Sequence, residues 1–502
     1  MNIDIVIATR ILLIAYAAVM IFFVVRGALR TRSMADFAIG NGFSPLIVGL
    51  SLAANITSAA TFIINPGFVA MFGLSAFIAM SVMVPLGLMI SLVILSRSFQ
   101  KHGTAFKAIS LAQWVNKRYD SPAYGRLMAV LSLLLITFIV LICVGLVKVI
   151  APALKADELY VLIGLVVFVF GATMFGGANS MAYTNAFQAI VMGVVALILI
   201  FSGAGHFDGG LSGFWSKLNE IDPMLSKAFN PSSPIFRDAF EVIFCNFIIG
   251  IAIVCQPHII TRSLMLRSAK DINKFLAIAI IVEILFFMVL FVGLFARLDM
   301  PDLTLAGKKL SMDGIMSAYV LERFDTGVGL LVIFGLLSAG LSTLEGLVQS
   351  VSTTITNDII LSSFKSEVSE DRKRMINRVV ITLLGVIAIV VSYQQLISPN
   401  LSVGILGQNG VYAFFSAAFM PVLLGIFAKN IHKIVPITAT LVAVVVYFAT
   451  YYGQLSFYTT GVVRNPAVAG TYAILAAVLS AGLMYLFTRN KTNLNSQKTI
   501  NA

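Results

Sequence analysis

From Leu46 to Phe72 the chain carries no charged residue, yet Asn55, Thr57, Ser58, Thr61 and Asn65 interrupt the apolar run and Pro66-Gly67 follows them. A membrane span needs about 20 apolar residues, so this stretch is long enough to cross a bilayer. Proline removes an amide donor and glycine adds backbone freedom. In lipid, backbone groups released from a helix are tolerated only where protein or a wet cavity satisfies them. The stretch Ser51 to Gly67 therefore reads as a broken membrane helix built around a binding site.

The rest of the chain fits that solvent, with 59% hydrophobic and only 11% charged residues among 502. Apolar runs predict thirteen spans: 3–25, 44–72, 75–98, 127–153, 159–176, 183–204, 238–258, 274–297, 327–360, 376–397, 401–427, 434–453 and 466–488. These leave room for one membrane domain and no sizeable soluble one. With the N-terminus outside, 23 Lys and Arg fall in inside segments, 9 in outside segments and 2 (Arg10, Lys148) within helices. The positive-inside rule then gives an N-out, C-in protein of the plasma (inner) membrane. Its formal charge of +12 sits in short loops rather than on a basic soluble face, so no nucleic-acid partner is expected.

Other classes fall away in turn. Ile3 to Val25 is too long for a signal h-region and lacks an A-x-A site, so it is expected to stay as a helix. Cys143, Cys245 and Cys255 lie in apolar segments and read as small buried hydrophobes. No GxxxxGK[ST] loop occurs and the tail beyond Arg489 is short, which argues against transport driven by ATP hydrolysis within the chain. His102, His206, His258 and His432 are dispersed without a nucleophile–base pair, so an enzyme is not expected. The outside segments 205–237 and 298–326 can carry short surface helices.

A second interrupted span lies at 238–258, where Phe244-Cys245-Asn246, Gly250 and Gln256-Pro257-His258 break the apolar run. Two broken spans five helices apart predict two five-helix inverted repeats, about 44–204 and 238–427, with helices 2 and 7 discontinuous. The fold class is an all-α membrane protein.

Four stretches carry a family resemblance: GNGFSPLIVGLSLAANITSAATFIINPG, the GG and YTNAFQ of 176–188, QPHIITRSL at 256–264, and GLLSAGLSTLEGLVQSVSTTITNDI at 335–359. In this order they resemble the signatures of the sodium:solute symporter family, over about four fifths of the chain. The resemblance implies the leucine-transporter-type fold, with an extra helix in 1–34, a core over 35–433, and two further helices and a short tail in 434–502. It implies a moving bundle of helices 2, 3, 7 and 8 against a scaffold of 4, 5, 9 and 10. It also implies a sodium site made by the carbonyls of Ala53, Ile56 and Ala339 and the hydroxyls of Ser342 and Thr343. Oxygen ligands suit a small hard cation, by extension from the alkaline earths. Read alone, Gly335, Ala339, Ser342, Gly346, Ser350 and Thr353 equally suit close helix packing.

The chain departs from the family where many members carry Asp in a WTDxxQ motif, since YTNAFQ places Asn185 there and keeps Gln188. Glu345, near Ser342, is open to three readings: a second cation site with Asn185, a proton site, or a structural pair. One sodium per solute is the default. Glu283 lies at mid-membrane depth, facing either a wet cavity or the solute, whereas Lys148 and Glu241 lie nearer the outer ends.

QPHIITR is nearer the proline and pantothenate members than the sugar carriers, although Ile249 and Ile253 stand where proline members have aromatic residues. Asn55, Ser58, Thr61 and Phe62 on helix 2, with Asn246 and Gln256 on helix 7, are the expected solute contacts. Half-helix N-termini favour an anionic group, hence a small carboxylate or amino-acid-like solute, with a sugar or polyol as the alternative. The expected function is sodium-coupled import by alternating access, without an enzyme activity, without a cofactor other than Na+, and without an evident obligate protein partner. A transport-like sensor or a sodium-independent channel or facilitator is the alternative of another class.

Overall fold

The computed structural model describes residues 5–500 except 41, 306, 365, 399–401 and 429, and the side chains of 102–105 and 489–500 are likewise left aside. The predicted starts at Ile3 and Leu401, the loop charges Lys365 and Lys429, and the His102 and Arg489 side chains lie outside what is described. Among the described residues the one sheet is a short hairpin, Thr304–Leu305 with Lys308–Lys309. Among the same residues ten helices are long and apolar enough to cross a membrane, or twelve with two bent pairs.

In chain order the segments are α1 (Ile5–Ala28), α2 (Pro45–Ile56 and Ala60–Phe72), α3 (Leu74–Lys101) and α4 (Pro122–Leu154). The next helix, Glu158–Ser202, runs for 45 residues with Gly177 in a non-helical conformation (φ 54°, ψ −157°). At 1.5 Å per residue it would extend about 67 Å if straight, so it has to bend, and its limbs are taken as α5 (158–176) and α6 (178–202). Gly177 suits the break because a side chain there would lie 3.0 Å from the Phe37 Cα.

The remaining segments are α7 (Phe240–Ile253 and Pro257–Met265), α8 (Ala269–Asp299), α9 (Thr326–Ser363), α10 (Glu370–Ile397), α11 (Val403–Phe427), α12 (Ile434–Gly453) and α13 (Pro466–Thr488). Outside them, the segments 205–237 and 298–326 carry the helices Gly210–Ile221 and Ile315–Arg323, as their composition suggested. α9 lies at the centre, with every residue from Gly335 to Gln349 buried, whereas α1 is largely exposed along the outside of α5 and α6.

Both expected interruptions are present, as bends of 52° in α2 and 58° in α7. The α2 break falls earlier than Pro66-Gly67. Thr57 turns into extended backbone (φ −89°, ψ 91°), and Ser58 then caps the second half: its Oγ accepts from the Ala60 amide, its carbonyl from those of Thr61 and Phe62. Pro66 sits within the second half, after a wide π turn over Ala60–Ile64 that absorbs its missing donor. Gly67 permits a close approach instead, since a Cβ there would lie 2.1 Å from the Met312 carbonyl. In α7 the break is at Gln256, with Pro257 opening the next turn, where a missing amide costs least. Gly250 belongs to the packing of α7 on α3, its Cβ position 2.2 Å from the Val84 carbonyl.

Candidate functional site

The break in α2 leaves its first half with carbonyls that no following turn can serve. Ala53 O still accepts from Thr57 N at 3.0 Å. Ala54 O and Asn55 O are met from α9: Ser342 Oγ donates to Ala54 O (2.7 Å), and Thr343 Oγ1 to Asn55 O (3.0 Å). Both hydroxyls also lie near Ala339 O, at 3.0 and 3.4 Å. Five neutral oxygens from two helices thus converge in a buried cluster.

The donor set suits a small hard monovalent cation, which asks for oxygen and does not require a full negative charge. Around such an ion, with metal–oxygen distances near 2.4 Å, neighbouring ligands lie about 3.4 Å apart. The tightest contact, Ser342 Oγ to Ala54 O at 2.7 Å, would therefore need to open by about 0.7 Å and the others by less. Of the expected ligands, Ser342, Thr343 and Ala339 come together, while on α2 Ala54 and Asn55 contact them. The Ala53 carbonyl completes the last helical turn, and Ile56 lines a neighbouring cavity. The signal that pointed to Ala54 and Asn55 was available in Thr57-Ser58, a pair able to bond its own backbone and end a helix.

One turn further along α9, Glu345 Oε2 accepts from Thr184 Oγ1 at 3.0 Å, and its Oε1 has no hydrogen-bond partner. Asn185 Nδ2 reaches Ser342 O at 3.5 Å, so Asn185 and Glu345 border the same region from two sides. Gln188 donates to Tyr16 of α1. Arg262, counted from sequence among the loop charges, is only 2% exposed. Its Nη1 lies 3.3 Å from Ser51 Oγ, and it interacts electrostatically with Glu345.

A cavity of about 100 Å³ lies where the two breaks face one another, bounded by α2, α3, α4, α7, α8 and α11. Ser58, Thr61, Asn65, Gln256, His258 and Gln408 give it polar groups, and among the described residues no Asp, Glu, Lys or Arg lines it. Phe138, Phe287, Tyr412 and Phe415 supply aromatic surface. Of the expected solute contacts, Ser58, Thr61 and Gln256 are here. Asn55 is not: its Nδ2 bonds Ser51 O and its Oδ1 points to Gly346 on α9. Phe62 packs edge-on against Phe286, and Asn246 donates to Glu241 O at 2.7 Å. Asn65 and His258, on the two broken helices, were not among the expected contacts, and Gln408 and the α11 aromatics were missed because α11 carries no break to single it out.

A model of the sodium:solute symporter family matches residues 37–442. The chain belongs to this family. The sodium/pantothenate symporter of Escherichia coli (strain K12) is 26% identical over 450 residues, covering 87% of this chain and 89% of that protein. A sodium/sialic acid symporter of Proteus mirabilis (strain HI4320) is 22% identical, over 96% and 97%. A solved structure of a substrate-bound, outward-open, sodium-coupled sialic acid symporter superposes with a TM-score of 0.73 over 95% of this symporter at 22% identity. The shared architecture is that of a secondary transporter, so the oxygen cluster and the cavity lie in a molecule whose family couples solute movement to Na+.

Proposed function

We propose that this sodium-coupled symporter binds Na+ between α2 and α9, through Ser342, Thr343 and the carbonyls around the α2 break, and binds a small organic carboxylate in the adjoining cavity. The observation that carries the sodium reading is the convergence of five oxygens from a broken helix and an unbroken one, at 2.7 to 3.4 Å. Ala339 is one of these five, and Ala53 and Ile56 are the further carbonyl positions that the family pattern offers. The solute reading rests on Ser58, Thr61 and Gln256, and on relatives named for pantothenate and sialic acid, both of which carry a carboxylate. Asn185 and Glu345 are placed for a second cation or proton position beside the first.

Sodium joining α2 to α9 would fix the break and order the solute groups three residues further on. Loss of the ion to a low-sodium interior would release that junction and let the bundle of α2, α3, α7 and α8 move against its scaffold. With the N-terminus outside and the C-terminus inside the plasma membrane, the potential contributes about 2.3 kcal/mol per charge per 100 mV. The symporter core spans 35–433, flanked by α1 on one side and α12 and α13 on the other.

Uptake into proteoliposomes of labelled pantothenate, proline, sialic acid and a neutral polyol, with and without an inward sodium gradient, tests this reading. Gradient-dependent uptake of a carboxylate is expected. Equal uptake without the gradient would reject sodium coupling, and gradient-driven uptake of the polyol alone would reject the carboxylate.

A further inference from the structure

Glu283 lies midway along α8, 1% exposed, outside both the oxygen cluster and the lining of the cavity. Its Oε2 accepts from Thr57 Oγ1 at 2.9 Å, and its Oε1 has no hydrogen-bond partner. Thr57 is the residue at which α2 breaks, and its neighbours Ile56 and Ser58 both line the solute cavity. Phe287, one turn beyond Glu283, lines it too.

Among the described residues the surroundings contain no counter-charge. The part of α8 around Glu283, Ile272–Met288, packs on α2, α3 and the long helix of α5 and α6, while its far end Val292–Asp299 also meets the helices Gly210–Ile221 and Ile315–Arg323. α2 has no charged residue, α3 has none from 74 to 96, and the only titratable side chain of α6 (178–202) is Tyr183, which stacks on Phe23 beside Arg26. The nearest charges of α8 itself are Lys274 and Arg297, nine or more residues away, or about 13 Å along the helix. An unpaired carboxylate in such a place costs several kcal/mol and requires a positive charge to accompany it.

We propose that Glu283 and Thr57 form a monovalent-cation site of their own at the hinge of α2, taking a proton or a sodium ion. The carboxylate supplies the charge and the Thr57 oxygen a second ligand, or the hydroxyl that holds the carboxylate in place. Because Thr57 is the hinge residue, a cation here acts on the angle between the two halves of α2. The site is separate from Ser342 and Thr343, which grip the same helix from α9.

The test uses the full-length purified protein, with two readouts: radiolabelled sodium bound per molecule, and protons exchanged with lightly buffered solution when sodium is added. Wild type is compared with Glu283→Gln, and with Glu345→Gln as the control at a second buried carboxylate. If the site takes sodium, Glu283→Gln loses one bound ion while the Thr343-dependent ion stays. If it takes a proton, the sodium count is unchanged, but Glu283→Gln abolishes the proton exchange and flattens the pH dependence of half-saturating sodium. An unchanged sodium count, proton exchange and pH profile in Glu283→Gln would overturn the proposal and leave a permanently neutral structural carboxyl. Should that variant not fold, Thr57→Val against Thr57→Ser decides. Loss of the hydroxyl, but not of the methyl, is expected to shift the affinity for the same cation about threefold or more, and equal behaviour of the two would refute the site.

Discussion

Thr343→Ala removes one of the five oxygens between α2 and α9, and the structure allows the effect to be sized. In the structure the hydroxyl donates to Asn55 O at 3.0 Å, with Ala54 O at 3.3 Å. Losing such a neutral bond costs about 0.5–1.5 kcal/mol. In the ion-bound protein the same oxygen faces a full positive charge, where a contact contributes about 1.5–3 kcal/mol. The difference, about 1–1.5 kcal/mol, raises half-saturating sodium about 5- to 12-fold. Thr343→Ser keeps the oxygen and is expected to remain near wild type. Sodium titration of solute uptake in proteoliposomes, at matched amounts of inserted protein, reads the shift. An unchanged half-saturating sodium in Thr343→Ala, or equal shifts in the Ala and Ser variants, would refute the ligand role.

Three further expectations use other parts of the site. A methyl at Gly346 would lie 1.9 Å from Asn55 Oδ1, so Gly346→Ala should cost about 1–3 kcal/mol by overpacking, lowering the melting temperature and weakening sodium binding together. Gln256→Ala should raise half-saturating solute about fivefold through loss of a hydrogen bond, whereas Asn246→Ala, which removes a bond to Glu241 O, should lower stability and leave solute affinity unchanged; isothermal titration with melting curves separates the two. Asp313, in the connection between α8 and α9, accepts from Ser402 Oγ and Val403 N at the start of α11, and burial raises its carboxyl above the usual range. A raised group contributes its stability at low pH and loses it as pH rises through the folded value, so the melting temperature of wild type relative to Asp313→Asn should fall from pH 4 to pH 7; a rise would refute the assignment.

The fold was legible because periodicity in lipid is simple: a run either is or is not apolar enough to span. Breaks were legible as polar residues at depth, and the motifs around them located α2, α7 and α9. Rotational position was not legible. Asn246 and Gln256 share one broken helix, but ten residues separate them, about 15 Å along the axis, and only Gln256 reaches the cavity. Asn55 precedes the bend and faces α9, while Ser58 and Thr61 follow it and face the cavity. Arg262 looked like a loop charge because it follows a break, yet it is buried between Ser51, His258 and two methionine sulfurs. A bend redirects every residue beyond it, and sequence spacing does not record the angle.

That redirection gives a physical route for coupling. Thr343 holds the Asn55 carbonyl, Thr57 makes the turn, and Ser58 caps the second half while lining the cavity. The ion's ligand and the solute's thus lie within four consecutive residues, so whatever fixes one carbonyl fixes the orientation of the other group. One turn before Asn55, Ser51 meets Arg262 of the second half of α7, which interacts with Glu345 on α9. The first half of α2 is therefore clasped from both sides, and ion binding need bias only the turn itself. A coupling free energy of about 1–3 kcal/mol, the usual range, corresponds to sodium tightening solute binding about 5- to 150-fold. Thermodynamic linkage requires the solute to tighten sodium by the same factor. Measuring it on one preparation tests whether the α2 turn is the shared element: Thr57→Gly, which frees that turn, should bring the common factor down towards one, and an undiminished factor would mean that the ion and the solute communicate by another path.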